Sequence, residues 1–205
     1  MITIIDYQVG NLNSIRNMLK KAGVESRISA DEAEIRSAEK LILPGVGHFD
    51  YGMRQLREAA FFETLNQRVL VDKVPVLGIC LGAQLLTESS EEGNTAGLGW
   101  IRGKTIRFRQ ERMDDKLKVP HMGFNHVSLA KDSNLFADMH PDPRFYFVHT
   151  FHLDIADQSD ALVNCEYGYP FVAGVESDNI LGVQFHPEKS HKFGLRLLEN
   201  FAKYY

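Results

Sequence analysis

Short apolar runs alternate with amphipathic segments of helical length in the first half of the chain. Ile2–Ile5 and Lys40–Leu43 are typical of buried strands, because almost every position in them is apolar. Between them, a segment that starts at Asn11 repeats apolar residues at helical spacing and stops at Gly23, which predicts a helix. Strands separated by helices in this way predict right-handed crossovers and a doubly wound, mostly parallel sheet.

The second half of the chain changes to short β-like runs. These runs cover residues 104–108, 124–129, 145–151, 161–165, 171–176 and 180–185. We expect them to be antiparallel additions packed on the parallel core. A closing helix carries Leu195, Leu198, Phe201 and Tyr205 at helical spacing. The predicted fold class is α/β, with a doubly wound, flavodoxin-like sheet and added antiparallel strands.

The most informative segment joins an apolar run to a turn that contains a cysteine. Val74-Pro75-Val76-Leu77 leads into Gly78-Ile79-Cys80-Leu81-Gly82, and an amphipathic helix follows. This strand–turn–helix arrangement is typical of a nucleophile elbow, whose turn is so sharp that glycines flank the nucleophile. The head of a helix also favours the negatively charged thiolate. We therefore predict that Cys80 is a nucleophile and that Cys165 is a buried structural cysteine.

A thiolate that attacks an acyl group needs a proton carrier and a group that orients this carrier. His186 follows the apolar run 182–185, so we expect it at the carboxyl end of a strand, where the elbow also lies. Glu188, two residues further on, could accept a hydrogen bond from the imidazole. Cys80, His186 and Glu188 are therefore a candidate catalytic triad. The alternative is a surface histidine beside a helix-capping glutamate. No metal site is predicted, because no second His or Cys stands at ligand spacing.

The oxyanion of a tetrahedral intermediate needs two N–H donors. The backbone N–H of Leu81, which follows the nucleophile, is expected to be one of them. The segment Pro44-Gly45-Val46-Gly47, named here the glycine loop, follows the second buried strand. Its glycines allow a peptide plane to point inward or to turn away, so we expect the second donor at Val46 or Gly47. An ordinary tight turn is the alternative.

Composition narrows the classes of function. The 205 residues are enough for a single domain, which we expect to span 1–205. The net charge of −4 argues against nonspecific binding of nucleic acid. The two cysteines lie far apart, which suits a reducing compartment. Because the sequence has no signal peptide and no apolar run of about 18 residues, we expect a cytoplasmic protein without a membrane partner.

Taken together, these motifs resemble the class I glutamine amidotransferases, and more narrowly the glutaminase subunits of imidazole glycerol phosphate synthases. The cysteine elbow and His186-Pro187-Glu188 are typical of the whole family. The narrower likeness extends over nearly the whole chain. It rests on Ile5-Asp6-Tyr7 with Gly10-Asn11, Leu43-Pro44-Gly45-Val46-Gly47-His48-Phe49, Pro120-His121-Met122-Gly123, Tyr146-Phe147-Val148-His149-Thr150 and Gln184-Phe185-His186-Pro187-Glu188-Lys189-Ser190.

The resemblance implies a glutaminase that uses no cofactor. Cys80 would attack the carboxamide of L-glutamine, His186 would protonate the departing ammonia, and Glu188 would orient His186. The residues that the resemblance implies for holding the glutamine are Gly45, Gln84, Glu92, His149, Thr150 and Phe151.

The resemblance also implies a partner subunit. The ammonia would pass, within a heterodimer, to a (β/α)₈-barrel synthase subunit that makes imidazole glycerol phosphate in histidine biosynthesis. The implied interface residues are Pro120, His121, Met122, Phe124, Tyr146 and Lys189.

Two departures from the family pattern concern this partner. Phe124-Asn125 stands where Trp-Asn is usual, and Gln8-Val9-Gly10 stands where a small residue commonly follows Asp-Tyr. Phenylalanine keeps an aromatic side chain but lacks the indole N–H donor. The alternative interpretation is a paralogous glutaminase that supplies ammonia to a sugar-modifying enzyme for surface polysaccharide. A cysteine peptidase is disfavoured, because Gln84 and Glu92 suit the charged ends of a free amino acid.

Overall fold

The computed structural model of the chain describes residues 1–205, and a mixed sheet of twelve strands runs through it. The strands are β1 (Ile2–Ile5), β2 (Ser26–Ser29), β3 (Lys40–Leu43), β4 (Val76–Ile79), β5 (Ser89–Ser90), β6 (Gly103–Arg107), β7 (His121–Leu129), β8 (Arg144–His149), β9 (Phe151–Ile155), β10 (Ala161–Tyr167), β11 (Tyr169–Ser177) and β12 (Ile180–Val183). The α-helices are α1 (Leu12–Lys21), α2 (Glu32–Arg36), α3 (Phe49–Glu58), α4 (Phe62–Asn66), α5 (Leu81–Leu85) and α6 (His191–Tyr204). The longest of them, α6, has 14 residues, and no helix has both the length and the apolar character that a membrane crossing requires.

One half of the sheet is parallel, with the strand order β2-β1-β3-β4-β12. On one face of β1, Ile2 and Ile4 share a buried core with Leu19 of α1 and Leu197 of α6. On the other face, Ile5 lies in a second core, to which helices α2 to α5 contribute. Helices therefore cover both faces of the parallel strands, and the predicted doubly wound α/β fold is confirmed.

The register of β4 and β12 determines where the reactive side chains lie. Gly78 of β4 is opposite Gly182 of β12, and Ile79 is opposite Val183. Directly after β4, the backbone N–H of Cys80 donates to the carbonyl of Val183 at 2.8 Å. The segments that follow these two strands therefore leave the sheet at the same edge.

The predicted antiparallel additions continue the sheet in the order β12-β11-β10-β7-β8, and β9 and β6 branch from it at β11. The predicted run 145–151 is divided at Thr150 into β8 and β9. The expectation for the run 180–185 was only half right. Its strand β12 is antiparallel to β11, from which a tight turn separates it, but parallel to β4 on its other edge. It therefore joins the two halves of the sheet.

Three buried histidines lie in the antiparallel half. His121, His149 and His152, named here the histidine cluster, surround Phe108 with ring centroids within 6.1 Å of its ring. Burial lowers the pKa of His121 to about 4. Burial is also the largest cause that lowers the pKa of the other two. The folded protein therefore keeps all three side chains uncharged at neutral pH.

The uncharged histidine cluster predicts a loss of stability in mild acid. Unfolded, these side chains take up protons near their ordinary pKa of 6.5. The folded chain resists this uptake, so the free energy of unfolding falls as the pH drops below that value. Each histidine contributes up to about 1.4 kcal/mol per pH unit. Urea denaturation at neutral pH and about one unit below the unfolded pKa measures the fall. A His121→Phe chain should lose less stability over this range, and equal wild-type stability at both pH values would contradict the account.

Candidate active site

Cys80 occupies a sharp turn between β4 and α5, with backbone angles of φ 54° and ψ −111°. A positive φ is strained for a residue that carries a side chain, and such strain is concentrated at functional sites. The glycines of the turn are required by close backbone contacts. A Cβ atom on Gly82 would lie 1.9 Å from the carbonyl oxygen of Leu43, and one on Gly78 would lie 2.9 Å from the backbone of Ala83. The structure therefore has the geometry of a nucleophile elbow.

His186 and Glu188 form a buried pair at the same edge of the sheet. Nδ1 of His186 lies 2.7 Å from Oε1 of Glu188, and both side chains are at most 3% exposed. Because a carboxylate only accepts hydrogen bonds, Nδ1 carries the proton. Burial lowers the pKa of His186, but interactions with Cys80 and Glu188 outweigh it and raise the pKa to about 9. Nε2 of His186 is buried and has no hydrogen-bond partner. A protonated imidazole that lines the same cavity as Cys80 can deliver a proton to a leaving group.

The glycine loop lies against the elbow, and one of its carbonyl groups accepts a hydrogen bond from the expected oxyanion donor. The backbone N–H of Leu81 donates to the carbonyl of Gly45 at 3.3 Å. Val46 is 44% exposed, and Gly47 has a φ of 104°. The hydroxyl of Tyr7 donates to the carbonyl of Pro44 and holds the base of the loop. Leu81 therefore becomes available to an oxyanion only when the carbonyl of Gly45 moves away.

A cavity of about 310 Å³ opens beside the nucleophile. Its lining residues are Val46, Gly47, Cys80, Leu81, Gln84, Glu92, Pro120, Val148, His149, Thr150, Phe151, His186 and Lys189. The predicted glutamine-binding residues thus line the same cavity as the nucleophile, except for Gly45, which belongs to the glycine loop but does not line the cavity. A larger hollow of about 690 Å³, lined by residues of α1 and β2, contains no cysteine or histidine. The smaller cavity is therefore the candidate active site.

Gln84 and Glu92 present hydrogen-bond acceptors to this cavity. The side-chain Nε2 of Gln84 donates to the carbonyl of Phe151 at 3.0 Å and to Oε1 of Gln184 at 3.1 Å. Both amide protons are thereby used, and Oε1 of Gln84 stays free to accept. One carboxylate oxygen of Glu92 accepts from the backbone N–H of Phe49 at 2.8 Å. Both side chains therefore suit the ammonium group of an amino acid. The carboxylate group of the same amino acid needs hydrogen-bond donors instead, which would have to be backbone N–H groups or a lysine.

Most of the residues implied at the partner interface lie on the surface, and one does not. Met122 and Phe124 are 61% and 49% exposed. The ammonium of Lys189 lies 5.5 Å from the centre of the half-buried ring of Tyr146. His121 is different, because side chains alternate along β7 and His121 lies on the opposite face from Met122. It is only 2% exposed, so its side chain offers no surface to a partner and the interface prediction for it is corrected.

Sequence reasoning missed two polar side chains next to the site. Gln184 is fully buried, and its Nε2 donates to Sγ of Cys80 at 3.8 Å. Tyr7 is 2% exposed, and its hydroxyl contacts the glycine loop. Both residues could have been found in the sequence as polar side chains close to the end of an apolar strand. A polar group that is buried there requires a hydrogen-bond partner, which points to a specific contact.

Comparisons with known proteins agree over the whole chain. The family model "Glutamine amidotransferase class-I" matches residues 3–204. The chain is 49% identical to imidazole glycerol phosphate synthase subunit HisH 2 of Methanococcus maripaludis, with 99% of each chain covered. It is 48% identical to the subunit of the same name from Pseudomonas aeruginosa, again with 99% of each chain covered.

Among solved structures, PurLQS from Thermotoga maritima has a TM-score of 0.72 and 19% sequence identity, covering 98% of this chain and 96% of that chain. A structure described as a glutamine amidotransferase has a TM-score of 0.71 and 16% identity, covering 97% of this chain and 99% of that chain. At such identities these two structures support the fold alone. The full-length sequence match goes further: this chain belongs to the class-I glutamine amidotransferase family.

Proposed function

We propose that this chain is the glutaminase subunit of an imidazole glycerol phosphate synthase. It hydrolyses L-glutamine to glutamate and ammonia, and a (β/α)₈-barrel synthase subunit uses the ammonia in histidine biosynthesis. The observation that carries the glutaminase is the strained Cys80 beside the buried His186–Glu188 pair, in one cavity with the acceptors of Gln84 and Glu92. The names of the relatives that are 43% to 49% identical support the pathway.

The geometry suits acyl transfer in two steps. The thiolate of Cys80 attacks the carboxamide carbon, and the C–N bond breaks as Nε2 of protonated His186 gives its proton to the departing ammonia. The product is a γ-glutamyl thioester. His186, now neutral, takes a proton from a water molecule that attacks the thioester, and glutamate leaves while the thiolate of Cys80 is regenerated. Glu188 holds the imidazole through Nδ1 and stabilises its charged form.

The glycine loop gives this site a means of regulation. In the isolated chain, the carbonyl of Gly45 holds the N–H of Leu81, so one expected oxyanion donor is occupied. A rotation of the peptide plane between Gly45 and Val46, to which the carbonyl of Gly45 and the N–H of Val46 belong, would release this donor and turn a second N–H inward. Removal of one oxyanion donor costs on the order of 10² to 10³ in rate, so the position of the loop has a large effect on activity. Binding of the partner subunit, which we place at the nearby exposed face, is proposed to drive this rotation.

The proposed partner surface consists of Pro120, Met122, Phe124, Tyr146 and Lys189. Pro120 and Lys189 also line the cavity, so a partner at this surface would lie at its rim. Exposed apolar side chains such as Met122 and Phe124 are typical of the centre of an interface. Phe124, in place of the usual tryptophan, favours a second candidate with the same glutaminase chemistry: delivery of ammonia to a sugar-modifying enzyme.

The nucleophile is tested by removal of each cysteine in turn. We expect Cys80→Ala to abolish glutamate release from glutamine, because the remaining groups form no thioester. Cys165 is an apt control, since it is also buried but lies in β10, away from the cavity. A Cys165→Ala chain should keep its activity per folded molecule. Substantial glutamate release by Cys80→Ala would exclude the proposed mechanism.

The occupied oxyanion donor predicts that the isolated chain turns over glutamine slowly. Addition of the barrel subunit together with its nucleotide substrate should raise glutamate release by roughly 10² or more, the effect of one restored donor. The measurement is glutamate formation by the chain alone, with partner, and with partner plus nucleotide. An isolated chain as active as the complex would contradict the switching role of the glycine loop. If only a sugar-modifying partner stimulates glutamate release, the second candidate function is the correct one.

The partner surface is tested on β7, which carries a matched pair of exposed apolar residues. Phe124 is 49% exposed and Leu129, near the other end of the strand, is 50% exposed. We expect Phe124→Ala to weaken binding of the barrel subunit by about 2 kcal/mol, or roughly thirtyfold in Kd. Leu129→Ala should leave Kd within about twofold of the wild type. Isothermal titration calorimetry measures both, and equal effects of the two substitutions would refute the assignment of this surface.

A further inference from the structure

A continuous series of hydrogen bonds crosses the histidine cluster and ends at the wall of the cavity. His121 and His149 are directly opposite each other in the β7–β8 pair. Nδ1 of His121 lies 2.9 Å from Nε2 of His149, and Nδ1 of His149 lies 2.8 Å from the carbonyl oxygen of Phe151. At the other end, Nδ2 of Asn125 lies 3.3 Å from Nε2 of His121.

The direction of these hydrogen bonds is determined by the carbonyl of Phe151. A carbonyl oxygen only accepts, so Nδ1 of His149 carries the proton and its Nε2 accepts from Nδ1–H of His121. Nε2 of His121 then accepts from the amide of Asn125, whose second proton goes to the carbonyl of Glu166 at 2.8 Å. Each imidazole of the series therefore donates through Nδ1 and accepts through Nε2, in the same direction. A proton added to either imidazole at its accepting nitrogen would break a hydrogen bond of this series.

The series meets the glutamine-binding residues at one atom. The carbonyl oxygen of Phe151 accepts from Nδ1 of His149 and from Nε2 of Gln84 at 3.0 Å. Gln84 also bonds Gln184, whose amide donates to Sγ of Cys80 at 3.8 Å. Both nitrogens of the His149 ring are occupied, so its side chain has no donor left for a substrate. What His149 supplies to the cavity is therefore the position of the Phe151 carbonyl.

We propose that His121 is a positioning residue for glutamine binding. It does not line the cavity, but its hydrogen bond fixes the ring of His149. That ring holds the carbonyl of Phe151, and the carbonyl in turn holds the amide of Gln84, so that Oε1 of Gln84 is presented to the ammonium of the substrate. This inference rests on the proposed function, because it assumes that the cavity recognises glutamine. It gives His121 a role in the affinity for substrate and none in the reactivity of Cys80.

Packing is the competing explanation for a buried histidine at this position. The ring of His121 is stacked between Phe147 and Tyr167, with centroids 4.7 Å and 4.0 Å away. A phenylalanine at position 121 keeps this stacking and removes the hydrogen bonds. An asparagine loses much of the stacking but keeps a donor close to the place of Nδ1. The two substitutions therefore separate the hydrogen bond from the packing.

His152 provides a matched control within the histidine cluster. It is buried and packs on the same Phe108 ring as His121. Its Nε2 contacts the hydroxyl of Tyr169 at 3.0 Å, and its ring makes no hydrogen bond to a residue that lines the cavity. His152→Phe therefore removes a buried histidine hydrogen bond of similar kind without touching the proposed series.

The experiment compares two alkylating agents on the full-length chain. A chloromethyl ketone analogue of L-glutamine labels Cys80 after it is recognised by the cavity, whereas iodoacetamide needs only an accessible thiolate. For each variant, the labelling rate at Cys80 is measured against reagent concentration by mass spectrometry of the peptide that carries it. The saturation constant for the analogue reports recognition, and its limiting rate and the iodoacetamide rate report the reactivity of Cys80.

We expect His121→Phe to raise the saturation constant for the analogue by roughly five- to tenfold, the effect of one lost hydrogen bond. Its limiting rate and its iodoacetamide rate should stay within about twofold of the wild type, as should all constants of His152→Phe. His121→Asn should restore most of the affinity despite its poorer packing.

Three results on recognition would overturn the inference but not the proposed function: an unchanged saturation constant in His121→Phe, an equal rise in His152→Phe, or His121→Asn no better than His121→Phe. Slower iodoacetamide labelling of His121→Phe would assign the residue a structural role and also overturn it. If the wild-type chain shows no saturable labelling by the analogue, the proposed function is wrong, and this inference is wrong with it.

Discussion

The close contact between two backbone segments, the end of β3 and the elbow after β4, is the constraint on which the site depends. The carbonyl of Leu43 and the glycine loop lie so near to Gly82 that no side chain fits there. A Cβ on Gly45 would equally lie 2.7 Å from the backbone nitrogen of Gly82. This contact places the Cys80 turn, the N–H of Leu81 and the loop carbonyl within reach of one another. The nucleophile, the oxyanion donor and the carbonyl that accepts from this donor are therefore all positioned by one packing contact.

The four buried histidines of this chain are of two kinds, according to their surroundings. His186 has a buried carboxylate on one side and Cys80 on the other, and these interactions outweigh burial and raise its pKa to about 9. In the histidine cluster burial is the largest effect, and it lowers the pKa values of all three side chains. The same side chain thus serves as a proton donor in one place and as a fixed, uncharged hydrogen-bond link in the other. Both kinds meet at the cavity, which His186 and His149 both line.

Much of this arrangement is predictable from the sequence, because local patterns determine it. The strands Ile2–Ile5 and Lys40–Leu43 have the predicted bounds, since three of the four residues in each are apolar. The edge strand β2 was missed because Ser26–Ser29 has one apolar residue among its four. The inward orientation of His121 was missed because a motif gives the neighbours in sequence but not the face of the strand. The hydrogen bond from Leu81 to Gly45 depends on the conformation of a loop, which glycines leave open.

The most direct test of the account is to capture the γ-glutamyl thioester on Cys80. The chain, with its barrel partner and nucleotide, is mixed with isotopically labelled L-glutamine and quenched in acid during turnover. Mass spectrometry then locates the label. The account predicts a γ-glutamyl adduct on the peptide that carries Cys80, and its absence from the peptide that carries Cys165. Glutamate release under the same conditions with no adduct at Cys80, or with the adduct on another residue, would contradict it.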